Sequence, residues 1–496
     1  MSVRSKAYLA ALAVILIVSP AAHAVPDLEV QPESAVTTEH TVMIKGQRVP
    51  YQATAGTQPV WDENGKVIAS VFYVFYQRTD VKDRTMRPLF FSFNGGPGSS
   101  SVWMHLGYTG PRRLKIDEEG FPIPPYGIEE NNHSILDVAD IVFVDPVNTG
   151  FSRIVGDADR SQFFGVNEDI EYLAGWMDAF VTRHNRWRSP KFLIGESYGT
   201  TRVAGLAEQL QNAHWMFLNG VVLVSPTSLA VNREGPVADA LSLPYFAAAA
   251  WYHKALSPDL QNKDLYDFLP QVEEWTIEEY IPALARGGFL DENRRREVAQ
   301  TVARYSGISE KVILDNNLSL APFLFWKELL REEGLIIGRL DSRYRGIDRE
   351  DGEFRFFHDP AMAAWNHAFT PAINHYLREI LGYKTDHHYN IFGPVRPWNR
   401  EGDNTGERLR AAMAQNPYLH VMIQSGYYDG GTDYFSAKYT MWNLDPSGKL
   451  KNRLRFESYR SGHMMYLRDE DLPSSNEHIR EFIREALSAT EKPAGY

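Results

Sequence analysis

The sequence predicts an α/β fold, a mostly parallel central sheet with helices on both faces and a helical insertion. Three observations predict it. Short apolar runs at Pro88 to Phe93, Ala139 to Val144, Lys191 to Ile194 and Val221 to Val224 alternate with helix-period stretches such as Val166 to Trp187. Buried strands that alternate with helices form parallel sheets wound on both faces. From about residue 231 the alternation stops and only helix-like stretches follow, then it returns after about residue 405.

The elements follow in order. Residues 1–24 read as a signal peptide: Arg4 and Lys6 give a basic start, Tyr8 to Val18 an apolar run, and Ala22-His23-Ala24 a small-x-small site cut after Ala24. That run is too short to span a bilayer, and no later run is long enough. An exported, soluble protein of periplasmic or secreted bacterial type is expected. Thr41 to Ile44 and Val67 to Tyr76 alternate as strands do, with a turn signal at Asp62 to Gly65. Lys191 to Ile194 leads into Gly195-Glu196-Ser197-Tyr198-Gly199, and Thr200 to Asn212 continues as a helix. Pro244 to Tyr252, Asp259 to Phe268, Glu273 to Ile281, Asp291 to Tyr305 and Leu318 to Glu333 read as helices of the insertion. Glu407 to Met413 is helical, His420 to Gln424 and Leu454 to Tyr459 are strands, and Ser475 to Leu487 closes the chain as a helix. The expected division is a core over 25–230 and 405–496, with an insertion over 231–404 capping it.

Composition narrows the function. The net charge is −12, and cleavage of the leader removes two more positive charges. Nucleic acid and an anionic membrane surface are therefore not expected partners. Arg294-Arg295-Arg296 is flanked by acids and reads as a solvated helix face. With no cysteine, neither disulfides nor thiolate metal sites are available. Asp386-His387-His388 lacks a helical or strand spacing of ligands and reads as a solvated loop. No metal or cofactor is implied, and nothing in the sequence sets the oligomeric state.

Chemistry centres on Ser197. A Gly-x-Ser-x-Gly turn between strand and helix lifts the serine hydroxyl out of the sheet. A serine nucleophile needs a base, and the base an orienting acid, in the chain order Ser, acid, His. The strand at 420–424 is followed by Asp429 and the strand at 454–459 by His463, which nominates Asp429 as orienter and His463 as base. Asp433 is the rival acid. The loop Asn94-Gly95-Gly96-Pro97-Gly98 also follows a strand, and such a loop supplies one oxyanion-hole N–H beside that of the residue after the nucleophile. Gly96 and Tyr198 are those candidates.

Together these motifs resemble the serine carboxypeptidases of the α/β-hydrolase superfamily. The matching segments, in the family's order, are Asn94 to Ser100, Asn132-His133-Ser134 with Val144 to Ser152, Gly195 to Gly199, Gly426 to Asp429 and Gly462-His463-Met464. The resemblance implies an α/β-hydrolase fold and release of C-terminal residues from peptides with a free C-terminus through an acyl-enzyme. It also implies that Asn94 and Glu196 bind the substrate's terminal carboxylate. A glutamate can hold a carboxylate only by sharing a proton, which makes this an acid-pH activity. The chain departs from the family pattern where a tryptophan is Ser92, a second acid is Tyr108, a cysteine is Ser99 and a proline is Tyr466. An esterase or acyltransferase using the same three residues is the alternative. A catalytically idle binding protein on the same fold is the alternative of another class.

Overall fold

The computed structural model describes residues 28–350 and 358–488; the expected leader and its cut after Ala24 lie outside the described residues. A ten-stranded sheet forms the centre. Three antiparallel strands open it: β1 (Ser34–Ile44), β2 (Gln47–Trp61) and β3 (Val67–Arg78). β2 lies outside the strands expected from the sequence; it carries Pro50 and Pro59, each of which lacks a ladder donor. The other main strands are β4 (Leu89–Phe93), β5 (Asp140–Asp145), β6 (Lys191–Glu196), β7 (Gly220–Val224), β8 (His420–Gly426) and β9 (Leu454–Tyr459). The spatial order is β1-β2-β3-β5-β4-β6-β7-β8-β9, with the two-residue strand Arg153–Ile154 against β3. From β5 to β9 every pairing is parallel.

The parallel strands β4 to β7 are buried along their whole length, so they read as apolar runs without alternation. Side chains alternate between two cores. Phe90, Ile141, Phe192 and Val222 face one, with Phe482 and Ile483 of the closing helix α5 (Asp471–Ser488). Phe91, Val142, Leu193 and Val221 face the other, against α1 (Val166–Arg183), α2 (Tyr198–Ala213) and α4 (Thr405–Gln415). The helix α3 (Pro360–His375), not among the helices expected from the sequence, packs Trp365 and Phe369 into the first core.

Between β7 and β8 no strand joins the main sheet among the described residues; Ile336–Ile337 and Arg345–Gly346 pair only with each other. Helices Leu243–Tyr252, Leu265–Trp275 and Glu292–Ser306 build a third core around Phe246, Phe268, Val302 and Phe325. Two expected helices are shorter than their periodicity suggested. Over 259–268 the helix restarts at Leu265, where the Asp264 carboxylate caps the Tyr266 N–H at 2.9 Å. Over 318–333 only Pro322–Glu328 is α-helical, because Asn317 and Leu318 take φ of 55° and 71° and end the preceding turn.

The strand register places the site. Phe93 lies opposite Gly195, Val224 opposite both Glu196 and Gln424, and Gly426 opposite Tyr459. The carboxyl ends of β4, β6, β8 and β9 therefore share one edge, where the following loops meet.

Candidate active site

Ser197 follows β6 and precedes α2, with φ 58° and ψ −127°. This left-handed backbone is strained for a serine and turns its side chain out of the sheet. The flanking glycines permit the turn. A Cβ on Gly195 would lie 2.2 Å from the Gly199 carbonyl oxygen, and one on Gly199 2.9 Å from that of Phe93. The Ser197 N–H donates to the Val224 carbonyl at 2.9 Å, which fixes the turn to the neighbouring strand.

The structure brings Asp429 and His463 together. His463 Nδ1–H donates to Asp429 Oδ2 at 2.7 Å, and both side chains are buried. The other Asp429 oxygen accepts from the Gly431 and Thr432 N–H groups at 2.8 and 3.1 Å, and the Thr432 hydroxyl lies 2.8 Å from Oδ2. These donors lock the carboxylate in one orientation. Asp433, the rival, instead caps the helix Tyr434–Leu444 by accepting from the Ser436 N–H at 2.8 Å. Burial pushes the Asp429 pKa up, but the charge and hydrogen bond of His463, then Thr432, hold it below its ordinary value. Burial likewise opposes the His463 imidazolium. Asp429, with Glu196 behind, outweighs it and raises the His463 pKa.

Gly95 closes against the nucleophile turn: a Cβ there would lie 2.5 Å from Tyr198 N. As the first residue of α2, Tyr198 has an N–H with no acceptor inside the helix. Gly96 follows with φ 105° and lines the same cavity as Ser197. Arg202 of α2 anchors this loop, donating to the Asn94 carbonyl at 2.8 Å while paired with buried Asp169 of α1 at 2.7 Å.

Asn94 and Glu196 meet directly. Asn94 Nδ2 donates to Glu196 Oε1 at 2.8 Å, and Asn94 Oδ1 accepts from the Met104 N–H at 3.0 Å. The Tyr466 hydroxyl donates to Glu196 Oε2. Burial raises the Glu196 pKa to about 7, against the opposing pull of His463, Tyr466 and Asn94. Tyr466 stacks on Tyr108, ring centroids 4.6 Å apart and 8° from parallel, and the Tyr108 hydroxyl donates to Gln424 Oε1 at 2.7 Å. Two departures noted separately in the sequence are thus one arrangement. A phenol from the histidine turn reaches Glu196, and the ring of Tyr108 supports it.

Ser197, His463, Glu196 and Gly96 line a cavity of about 190 Å³. Its walls include Trp103, Met362, Trp365 and Phe392, and Arg339 and Leu340 close one side. No local sequence signal marks these wall residues, or Thr432, as neighbours of Ser197. Among the described residues no group of three or more His, Asp or Glu is placed to hold a metal ion. No described helix is long and apolar enough to cross a membrane.

A family model described as serine carboxypeptidase matches residues 46–263, which include Asn94, Glu196 and Ser197. Over this segment, rather less than half of its length, the chain is similar to the serine carboxypeptidases. Serine carboxypeptidase-like 31 of Arabidopsis thaliana is 26% identical over 227 residues, 42% of this chain and 41% of that protein. Pheromone-processing carboxypeptidase KEX1 of Tuber melanosporum is 28% identical over 143 residues, 28% of this chain and 21% of that protein. The chain thus spans less than half the length of these relatives. The structure of KEX1(delta)p, a prohormone-processing carboxypeptidase from Saccharomyces cerevisiae, superposes with a TM-score of 0.55 at 16% identity, over 88% of this chain and 91% of that one. The shared architecture is the α/β-hydrolase fold. Asp429 and His463 lie beyond the family match and rest on their geometry alone.

Proposed function

We propose that this protein is a serine carboxypeptidase, releasing C-terminal residues from peptides through an acyl-enzyme on Ser197. The observation that carries the reading is the Asp429–His463 hydrogen bond beside the cavity that Ser197 lines. In this reading His463 Nε2 takes the Ser197 proton as Oγ attacks the scissile carbonyl. The Gly96 and Tyr198 N–H groups hold the oxyanion, and His463 passes the proton to the leaving amine. Water then repeats the sequence on the acyl-enzyme. Asp429 fixes the imidazole tautomer and stays ionised. The segment 231–404 caps the core and supplies part of the cleft wall, and the leader at residues 1–24 directs export.

Asn94 and Glu196 receive the terminal carboxylate. Glu196 shares a proton with it only below its own pKa, raised to about 7 by burial. Peptide hydrolysis is therefore lost as pH rises through that value. His463 must be neutral to act as base, so its raised pKa removes activity as pH falls. The peptide profile is a bell. An ester lacking the carboxylate keeps only the rising limb.

One observation favours a second reading, an esterase or acyltransferase with the same three residues. Both Glu196 oxygens already have donors in Asn94 and Tyr466, and no second acid stands at Tyr108. A peptide library read by mass spectrometry, with free and amidated C-termini in parallel, decides. The carboxypeptidase reading expects trimming of free ends only. Equal rates on both forms would favour the second reading.

A further inference from the structure

The cleft holds a cation that none of these roles uses. Arg339 lines the cavity with Ser197 and His463, and is the single Lys or Arg among its described lining residues. Its backbone is committed: the N–H donates to Asp359 Oδ1 at 3.1 Å, and the carbonyl accepts from the Gly430 N–H at 2.9 Å. Its guanidinium is loosely held. The ion pair from Nε to Asp359 Oδ2 is long, 3.8 Å, and the Arg339 side chain is 42% exposed. The Asp359 oxygens already accept from the Arg339, Leu340 and Ala361 N–H groups, each at 3.1 Å. The head group reaches toward the acid's loop, with Nη1 3.3 Å from where a Cβ on Gly431 would stand.

A guanidinium offers five donors in a planar fork that matches a carboxylate. Trp103, Met362, Trp365 and Phe392 line the same cavity and limit the water that would screen the charge. We propose that Arg339 is a specificity residue that anchors a substrate carboxylate, that of an acidic side chain flanking the scissile bond. The side chain is favoured over the terminal carboxylate by position. Asn94 and Glu196 rest against Met104 and Tyr466, whereas Arg339 rests against Gly431 in a different loop. This inference rests on Ser197 being the nucleophile.

The test uses two activated phosphonates that label Ser197, one carrying a glutamate-like and one a glutamine-like side chain. It adds peptides with Glu or Gln flanking the cut, free or amidated at the C-terminus. Wild type is expected to favour the glutamate forms about five-fold at low salt, as suits a half-exposed ion pair, and less at high salt. Arg339→Gln should bring that ratio to about one, and Arg339→Lys should keep most of it. Arg339→Glu should invert it toward a lysine-bearing probe. If Arg339→Gln instead erases only the difference between free and amidated ends, the anchored group is the terminal carboxylate and the side-chain proposal falls. An equal ratio in wild type, or one unchanged in Arg339→Gln, overturns the anchor while Ser197 labelling still stands. No labelling of Ser197 by either phosphonate removes the nucleophile reading, and with it this one.

Discussion

Glu196 carries an unusual burden for a residue next to the proposed nucleophile. It is buried, held by Asn94 and Tyr466, and its pKa is raised from 4.5 to about 7. An acid whose folded pKa is raised costs stability as pH climbs from the unfolded value to the folded one. Glu196→Gln cannot ionise, and its amide can meet the same two partners. Its stability gain over wild type should be small near pH 4.5, grow through about pH 7 to ~3 kcal/mol, then level off, as read by urea melts along a pH series. A gain independent of pH would mean Glu196 is not buried in its charged form. Tyr466→Phe keeps the stack on Tyr108 but removes the donor to Glu196. The carboxyl should then hold its proton to higher pH, moving the alkaline limb of peptide hydrolysis up by about half a unit or more while the ester profile stays put. Coincident shifts in both profiles would assign Tyr466 to His463 instead. Ser197→Ala should leave a folded protein slowed by several powers of ten, and Asp429→Asn should cost about 10⁴ in kcat. Wild-type turnover by the alanine variant would remove Ser197 from the mechanism.

At the scale of elements, the nucleophile turn and one connecting strap do the positioning. The turn works because β6 and α2 pass with no room for a side chain. Gly195→Ala would place a Cβ 2.2 Å from backbone, so strand and helix must part. A loss of ~3 kcal/mol in unfolding free energy, with slowed fluorophosphonate labelling, is expected. The strap is Arg339–Leu340, a piece of the helical segment. Its carbonyls accept from the N–H groups of Gly430 and of His463, the latter at 2.7 Å, so it ties the loop of Asp429 to the loop of His463. Asp359, at the start of α3, holds the strap through its two N–H groups. Asp359→Asn would turn an amide N–H toward one of these donors, leaving a buried donor unpaired at a cost of ~1–3 kcal/mol. Because the strap also bears on His463, kcat should fall about ten-fold beyond what Tm loss explains. Unchanged kcat in a destabilised variant would show that the strap only supports the fold.

At the scale of the molecule, three cores divide the work. Two lie on either face of the sheet, and the third belongs to the helices between β7 and β8. With no cysteine, no disulfide ties them together. The expected export is checked by N-terminal sequencing of protein recovered outside the cytoplasm, which should begin at Val25. A chain found in the cytoplasm and still starting at Met1 would exclude it. The strand runs at 89–93, 140–145, 191–196 and 220–224 were legible because parallel strands, buried on both faces, need uninterrupted apolar residues. The placement of Ser197, Asp429 and His463 was legible because each follows a strand of the parallel part of the sheet, the last of them polar and only partly buried, and parallel register sends all the carboxyl ends to one edge. Local chemistry by itself determined the turn, the loop glycines and their order along the chain. Only the tertiary structure decided that Tyr466 reaches Glu196 across the ring of Tyr108, that Asp433 caps a helix rather than serving His463, and that Arg339 stands in the cleft. Those contacts join residues far apart in sequence, and no periodicity or spacing carries information about which distant side chains the packed sheet and helices bring face to face.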